Sequence, residues 1–403
     1  MGPVKLELQK DLARVLRAGH PWVYKRALER PASGLQAGSI VDVVAGGKFV
    51  ARGYYDPAGA VRVRVLTRDP AEAIGPLFWR RRIAKAVALR RAYVLSTETD
   101  CARLVHGEAD WLPGVVVDLY GAFAVLKLYS AGLAAHRSHI VDALRGEVAL
   151  EGIYGRDEEI ARDDEEDELS DRESPPGRGQ TLWGAQPPAE LVVREHGMRI
   201  AVDVRAGQKP GYFLDQRENR LALRRFARGR RRAANCFSYS GGFSVSAALG
   251  GAREVVSIDR DAAAMQLARR NFELNRIDPA GHGFVVGDVL EFLRGAEEPF
   301  DLIVLDPPAF AKSQKAVPAA LDGYASLHRA ALQALAPGGI LATASCSARV
   351  SADEFAAAIR EAAAKVHADL QILEEKRQPP DHPGLLAFPE GRYLKFFVLR
   401  RGE

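Results

Sequence analysis

Asn235-Cys236-Phe237-Ser238-Tyr239-Ser240-Gly241-Gly242-Phe243 decides how the C-terminal half of this 403-residue chain is read. It follows an apolar run from Ala233 and leads into a helix of small residues. Its paired glycines, lacking Cβ atoms, would let a ligand approach the backbone closely. The G-x-G-x-x-G spacing of dinucleotide enzymes is missing. Downstream, apolar strands are expected at 254–258, 283–286, 302–305 and 340–344, with helical periodicity at 262–274, 289–293, 319–335 and 352–366. Such alternation builds a parallel, doubly wound sheet. Residues 370–375 and 394–399 break the rhythm, with only the Pro379-Pro380 and Pro383-Gly384 loop between them, so an antiparallel hairpin is expected there.

In such a sheet, ligands bind beyond the carboxyl ends of the strands. Asp259, after the second strand, could accept hydrogen bonds from both hydroxyls of a ribose. Asp288, after the third, could read an exocyclic amine, and either acid could instead be a helix N-cap. The fourth strand runs into Asp306-Pro307-Pro308-Ala309-Phe310, whose prolines stiffen the loop and project Asp306. A nucleoside beside a rigid acidic loop suggests group transfer onto a flat base. The fifth strand ends in Ser345-Cys346-Ser347, where a thiol in a polar setting is a candidate nucleophile; Cys236 reads as a packed side chain of the ligand turn. Upstream, the polar and aromatic run from Gly207 to Arg220 suits a lid over a zwitterionic ligand. Arg217 is its candidate carboxylate partner, and Asp215 is a helix cap in the plainer reading.

The rest of the chain sets the context. With 47% hydrophobic and 27% charged residues it reads as globular, and no apolar run is long enough for a bilayer span, so no membrane partner is expected. Met1 to Gln9 lacks the apolar core of a secretory signal, and the cysteines are only three, so a reducing cytoplasm is expected. Strands at 39–44, 49–55 and 61–66 make a small β module. A helix at 76–94 follows, carrying Arg80, Arg81, Arg82, Lys85, Arg90 and Arg91 as a candidate basic face. Strands at 115–119 and 123–129 look antiparallel and precede a helix at 134–144. Eleven of the seventeen residues from Asp157 to Glu173 are carboxylates, a block that repels itself and reads as a loop or linker. The arginines at 224, 225, 228 and 230–232 suit phosphates or a solvated helix end equally. The expected domains are 1–74, 75–188 with an acidic loop at 157–188, and 189–403.

These residues together resemble the large-subunit ribosomal RNA cytosine-5 methyltransferases that use S-adenosylmethionine, over nearly the whole chain. His20-Pro21-Trp22-Val23-Tyr24 and Arg62-Val63-Arg64-Val65-Leu66 resemble the family's PUA domain, a small RNA-binding barrel. Leu104 to Glu108 with Leu112 to Asp118 resemble its central domain. Gly211 to Arg220, the Phe237 to Phe243 loop, Asp306 to Phe310, Ser345 to Ser347, Asp381-His382-Pro383 and Pro389 to Lys395 complete the match. The resemblance implies an α/β fold: a class I methyltransferase Rossmann-like sheet with an antiparallel terminal hairpin, an N-terminal β-barrel and a central α+β domain. It further implies S-adenosylmethionine bound by Phe213, Asp215, Gln216, Arg217, Phe237, Ser238, Tyr239, Ser240, Gly241, Asp259, Asp288, Val289 and Asp306. Cys346 and Asp306 would be catalytic, without a metal. The chain departs from the family in Lys209-Pro210-Gly211, where Lys-Thr-Gly is usual. It also has Ala309 where a lysine commonly follows the prolines, with Lys312 close by.

Carbon 5 of cytosine is a weak nucleophile, so the implied chemistry is addition of Cys346 to carbon 6 while Asp306 bonds the N3 and N4 edge. A target base would be single-stranded or flipped out of its helix. The implied partner is large-subunit ribosomal RNA, unfolded or partly assembled, and a homodimer is left open. Two other readings remain: methylation of guanine or of an exocyclic amine on RNA, with Cys346 as inert packing, and a non-catalytic RNA-binding assembly factor.

Overall fold

The computed structural model describes residues 2–9, 11–29, 34–156, 179–205, 211–311 and 313–403. The acidic block at 157–173, Gln208 to Pro210 and Lys312 lie outside the described residues. Contacts divide the chain into two units, one of residues 1–191, 202–212 and 380–391, the other of 192–201, 213–379 and 392–403.

In the first unit, Ile40–Ala45, Lys48–Tyr55 and Val61–Thr67 form an antiparallel meander. Val4–Glu7 extends it in parallel on one side and Trp22–Tyr24 antiparallel on the other. A second sheet runs in the order Gln180–Gly184, Gly152–Gly155, Phe123–Leu128, Val115–Tyr120, Cys101–His106. The expected antiparallel pair is at its centre. Phe123–Leu128 and Gly152–Gly155 are parallel because helix Arg137–Glu147 crosses between them. The stretch 157–188 is therefore not loop throughout: Gln180–Gly184 is a strand antiparallel to Gly152–Gly155. Helix Pro76–Tyr93, with proline at its first turn, buries Phe78, Trp79, Ile83, Ala86 and Val87 at helical spacing. Of its candidate basic face, Arg80, Arg81, Lys85 and Arg91 are exposed and Arg90 is not. Arg90 is wholly buried and bidentate to Asp110 at 2.7 and 2.8 Å, while Arg81 and Arg82 pair with Glu72 and Arg80 with Glu147.

The second unit is built on strands Arg232–Cys236 (β1), Glu254–Asp259 (β2), Gly283–Val286 (β3), Phe300–Leu305 (β4), Leu335–Ser345 (β5), Leu370–Lys376 (β6) and Lys395–Arg401 (β7). They stand in the order β3-β2-β1-β4-β5-β7-β6. The first five are parallel, and β7 inserts antiparallel between β5 and β6, so the expected hairpin is present. Helices Arg217–Ala227 (α1), Gly242–Leu249 (α2), Ala262–Leu274 (α3), Val289–Arg294 (α4), Val317–Ala334 (α5) and Ala352–Lys365 (α6) accompany it. α6 starts at a capping box, Ser351 with Glu354, which satisfies two otherwise orphaned donors. Because the chain moves outward from β1 to β3 and then returns to β4 on the other side, strand order reverses between β1 and β4. The switch-point crevice opens at their carboxyl ends. Three of the six arginines at 224–232 pair with carboxylates of this unit: Arg225 with Glu374, Arg231 with Glu298 and Arg232 with Glu254.

Candidate active site

Beyond β1 the backbone is left-handed at Phe237 (φ 59°), Tyr239 (φ 46°) and Gly241 (φ 75°). For the two aromatic residues this costs about 1–3 kcal/mol each, a strain that persists only where neighbours enforce it. The enforcing bonds are Ser238 N to the Ile258 carbonyl at 3.0 Å, Gly241 N to the Ser238 carbonyl at 2.9 Å, and Tyr239 N to Asp259 Oδ2 at 2.8 Å. Asp259 Oδ1 accepts from Asp261 N at 3.1 Å. Each Asp259 oxygen, with two lone pairs and one of these donors, has room for a ligand hydroxyl. The ring of Phe213 meets Tyr239 edge-on at 5.4 Å. A Cβ at Gly241 would lie 2.8 Å from that of Ala268 on α3. The glycine lets the loop pack on the helix. Ser240 is buried and its hydroxyl has no partner among the described residues. A buried hydroxyl in that state is costly, and its setting fits a polar ligand of the S-adenosylmethionine kind.

The other strand-end acids differ in what already holds them. Asp288 caps α4 through Glu291 N at 3.0 Å, and its second oxygen takes the Arg260 guanidinium. These bonds, the backbone one first, hold its carboxyl below the usual range. Each of its oxygens carries one donor, as each oxygen of Asp259 does, and the Val289 side chain lies in the core. Asp306 Oδ1 accepts from Gln216 Nε2 at 2.9 Å, and Gln216 Oε1 accepts from Asn219 Nδ2 at 2.5 Å. Asp215 does not cap α1; its Oδ2 accepts the Tyr393 hydroxyl at 2.7 Å. Arg217 is wholly buried, and its Nε lies 3.4 Å from Glu218 Oε1. His196 on the same acid, then Arg217, hold the Glu218 carboxyl low.

Across the crevice, the Phe310 and Tyr324 rings lie 4.7 Å apart, and the Tyr324 hydroxyl is 3.0 Å from Ser345 Oγ. Burial pushes this phenol up, so it stays neutral. Beneath it His328 Nδ1 donates to the Tyr324 carbonyl at 2.6 Å, which leaves Nε2 to accept from Thr343 at 2.8 Å. Burial pushes the His328 ring down to about 4. Ser347 Oγ donates to the Ala311 carbonyl at 3.5 Å, linking the turn after β5 to the proline loop. Cys346 lies on that turn and is partly exposed, whereas Cys236 is wholly buried and burial raises its thiol strongly. Of the two thiols only Cys346 has the setting of a nucleophile. Sequence reasoning singled out neither Tyr324, Tyr393 nor Lys395 as site residues. The two-residue spacing of Tyr393 and Lys395 was the available signal, since it puts both on one side of an extended segment.

This strand order, with its crevice acids, defines a nucleoside-binding α/β transferase domain, and the profile of S-adenosylmethionine-dependent methyltransferases matches residues 163–395. The chain belongs to that methyltransferase family, and residues 6–68 match a PUA-like domain. It is 41% identical over 401 residues, 98% of this chain and 99% of the relative, to ribosomal RNA large subunit methyltransferase I of Citrobacter koseri. Among solved structures, a candidate S-adenosylmethionine-dependent methyltransferase from Streptococcus mutans superposes with a TM-score of 0.83 at 23% identity, covering 98% of this chain and all of that one. A second, solved with S-adenosylhomocysteine, gives 0.83 at 24% identity, covering 99% of this chain and all of that one. At those identities the two share its fold.

Proposed function

We propose that this protein methylates carbon 5 of a cytosine in large-subunit ribosomal RNA through a covalent bond to Cys346. The observation that carries the reading is the partly exposed thiol at the carboxyl end of β5, on a turn bonded to the loop that follows Asp306. The RNA substrate is supported by the ribosomal RNA methyltransferase relative, which spans almost the same length, and by the PUA-like match. Asp259 would take the ribose hydroxyls of S-adenosylmethionine, with Ser240, Phe213 and Tyr239 around it, and Asp288 would stand near the adenine. The bound cofactor supplies an electrophilic methyl group on a sulfonium. Cys346 adds to carbon 6, which makes carbon 5 nucleophilic, while the Asp306 carboxyl accepts from the N4 amine and, in its protonated form, donates to N3. After methylation, loss of the carbon 5 proton restores the ring and expels the Cys346 sulfur as thiolate. The base enters unpaired or flipped, from RNA that is unfolded or partly assembled, in the cytoplasm.

The test uses RNA carrying 5-fluorocytosine, in which the carbon 5 substituent cannot leave as a proton and the adduct persists. A protein–RNA conjugate mapped to Cys346 is the expected result. Turnover on ordinary RNA with no conjugate on the fluorinated one, or full methylation by the Cys346→Ala variant, refutes the reading.

A further inference from the structure

Lys395 opens β7 directly opposite Ser345, its Cα partner in the β5–β7 register, and so stands across from the residue before Cys346. Its side chain is buried. The ammonium donates to the carbonyls of Ser347 at 2.5 Å, Val350 at 2.7 Å and Tyr393 at 2.9 Å. Those bonds use all the donors an ammonium has. Two of the three acceptors belong to the turn that follows Cys346, so the lysine fixes the course of the backbone that presents the thiol.

None of these acceptors is a carboxylate, and a buried ammonium held only by neutral carbonyls carries an uncompensated charge. Two charges act in its favour: Cys346, the larger influence, and Glu354, which is engaged in the α6 capping box. Burial, the largest influence of all, and Arg377 oppose it, holding the amine at about 8. Neutral Tyr324, whose hydroxyl lies 3.0 Å from Ser345 Oγ, feels the charges of both Cys346 and Asp306. Whatever a sulfur anion contributes to the ammonium, the ammonium returns to the sulfur, because the interaction is shared.

We propose that Lys395 is a positioning residue for the nucleophile: its ammonium clamps the turn after β5 and supplies the positive charge against which the Cys346 sulfur ionises. This rests on Cys346 being the nucleophile. On ionisation the thiol proton passes to solvent and the lysine keeps all three of its own. Above about pH 8 the lysine itself loses charge and the help fades.

The experiment is alkylation of the full chain by iodoacetamide from pH 5.5 to 9.5. The modified Cys346 peptide is quantified by mass, and iodide leaves as the thiolate attacks. Lys395→Met and Lys395→Gln, which remove the charge, are compared with Lys395→Arg, which keeps it. Circular dichroism and S-adenosylhomocysteine calorimetry identify the folded variants. The neutral variants are expected to move the alkylation midpoint up by about one pH unit, with about tenfold slower reaction near neutrality, and Lys395→Arg to stay close to the parent. A purely structural lysine would alter accessibility at every pH without moving the midpoint. A midpoint within about 0.3 pH of the parent in a folded neutral variant overturns the proposal. Loss of the 5-fluorocytosine conjugate in the parent protein is a separate result: it overturns the methylation chemistry and leaves the midpoint comparison standing.

Discussion

Replacing Glu195 by Gln should unfold the methyltransferase unit earlier than any comparably small surface change. Glu195 and Arg220 form a bidentate pair, both contacts at 2.7 Å, with side chains only 0% and 3% exposed. Arg220 also donates to the Phe213 carbonyl at 2.8 Å, which fixes the start of the segment bearing Asp215 and Gln216. The amide would accept at one position and leave the guanidinium charge buried without its counter-ion, a loss of about 3–5 kcal/mol for a broken buried pair. With a urea slope of about 2–3 kcal/mol/M for a unit of this size, the midpoint falls by about 1–2 M. The assay is urea unfolding followed by circular dichroism, with hydrogen exchange read by mass spectrometry on peptides from α1 and α2. Protection should drop there first. The double change Glu195→Leu with Arg220→Met removes both charges and should recover most of the loss. A midpoint shift below about 0.3 M for Glu195→Gln, or a double variant no better than the single, refutes the argument that an orphaned charge is the cause.

Two further outcomes follow from the crevice. Asp259→Ala removes the acceptor of Tyr239 N and Asp261 N together with the expected ribose contact, so calorimetric affinity for S-adenosylhomocysteine should fall by about tenfold or more, whereas affinity within twofold of the parent argues against a ribose role. His328, held neutral at about 4 when folded against about 6.5 when unfolded, contributes stability in full above about pH 6.5 and loses it as pH falls toward 4. That single proton amounts to about 3 kcal/mol, and His328→Gln should flatten the pH dependence of the urea midpoint between pH 7 and 4.5 by about that much, while an unchanged slope excludes His328 as its source.

How much of this was legible in sequence depended on how local the cause was. The α3 helix, Ala262–Leu274, and β3, Gly283–Val286, were bounded correctly because a capping aspartate and glycine turns mark them within a few residues. Trp22–Tyr24, Gly152–Gly155 and Gln180–Gly184 were not, because each is short and becomes a strand only through a partner elsewhere in the chain. The crevice behaved the same way. Strand-end acids announced their positions, yet Asp259 and Asp288 look alike in sequence. Only the structure separates an acid that anchors the ligand turn from one that caps a helix and pairs with an arginine. The buried fate of Arg90 was hidden for the same reason, since Asp110, twenty positions away, reaches it through folding rather than periodicity.

The terminal hairpin shows why a fold so widely shared needs this addition. A purely parallel sheet would end at β5 with a bare edge beside the thiol; β7 covers that edge and, being antiparallel, starts at the carboxyl end of β5. Its entry residues are therefore delivered to the crevice. Tyr393 binds Asp215 on the segment before β1, Leu394 is fully buried, and Lys395 binds the turn after β5. Three consecutive residues thus connect the α1 side of the crevice to the side carrying Cys346, across 178 positions of sequence in the case of the tyrosine. β7 is buried on both faces from Lys395 to Leu399, and a slip of one residue against β5 would carry Lys395 to the opposite face, away from the turn it holds.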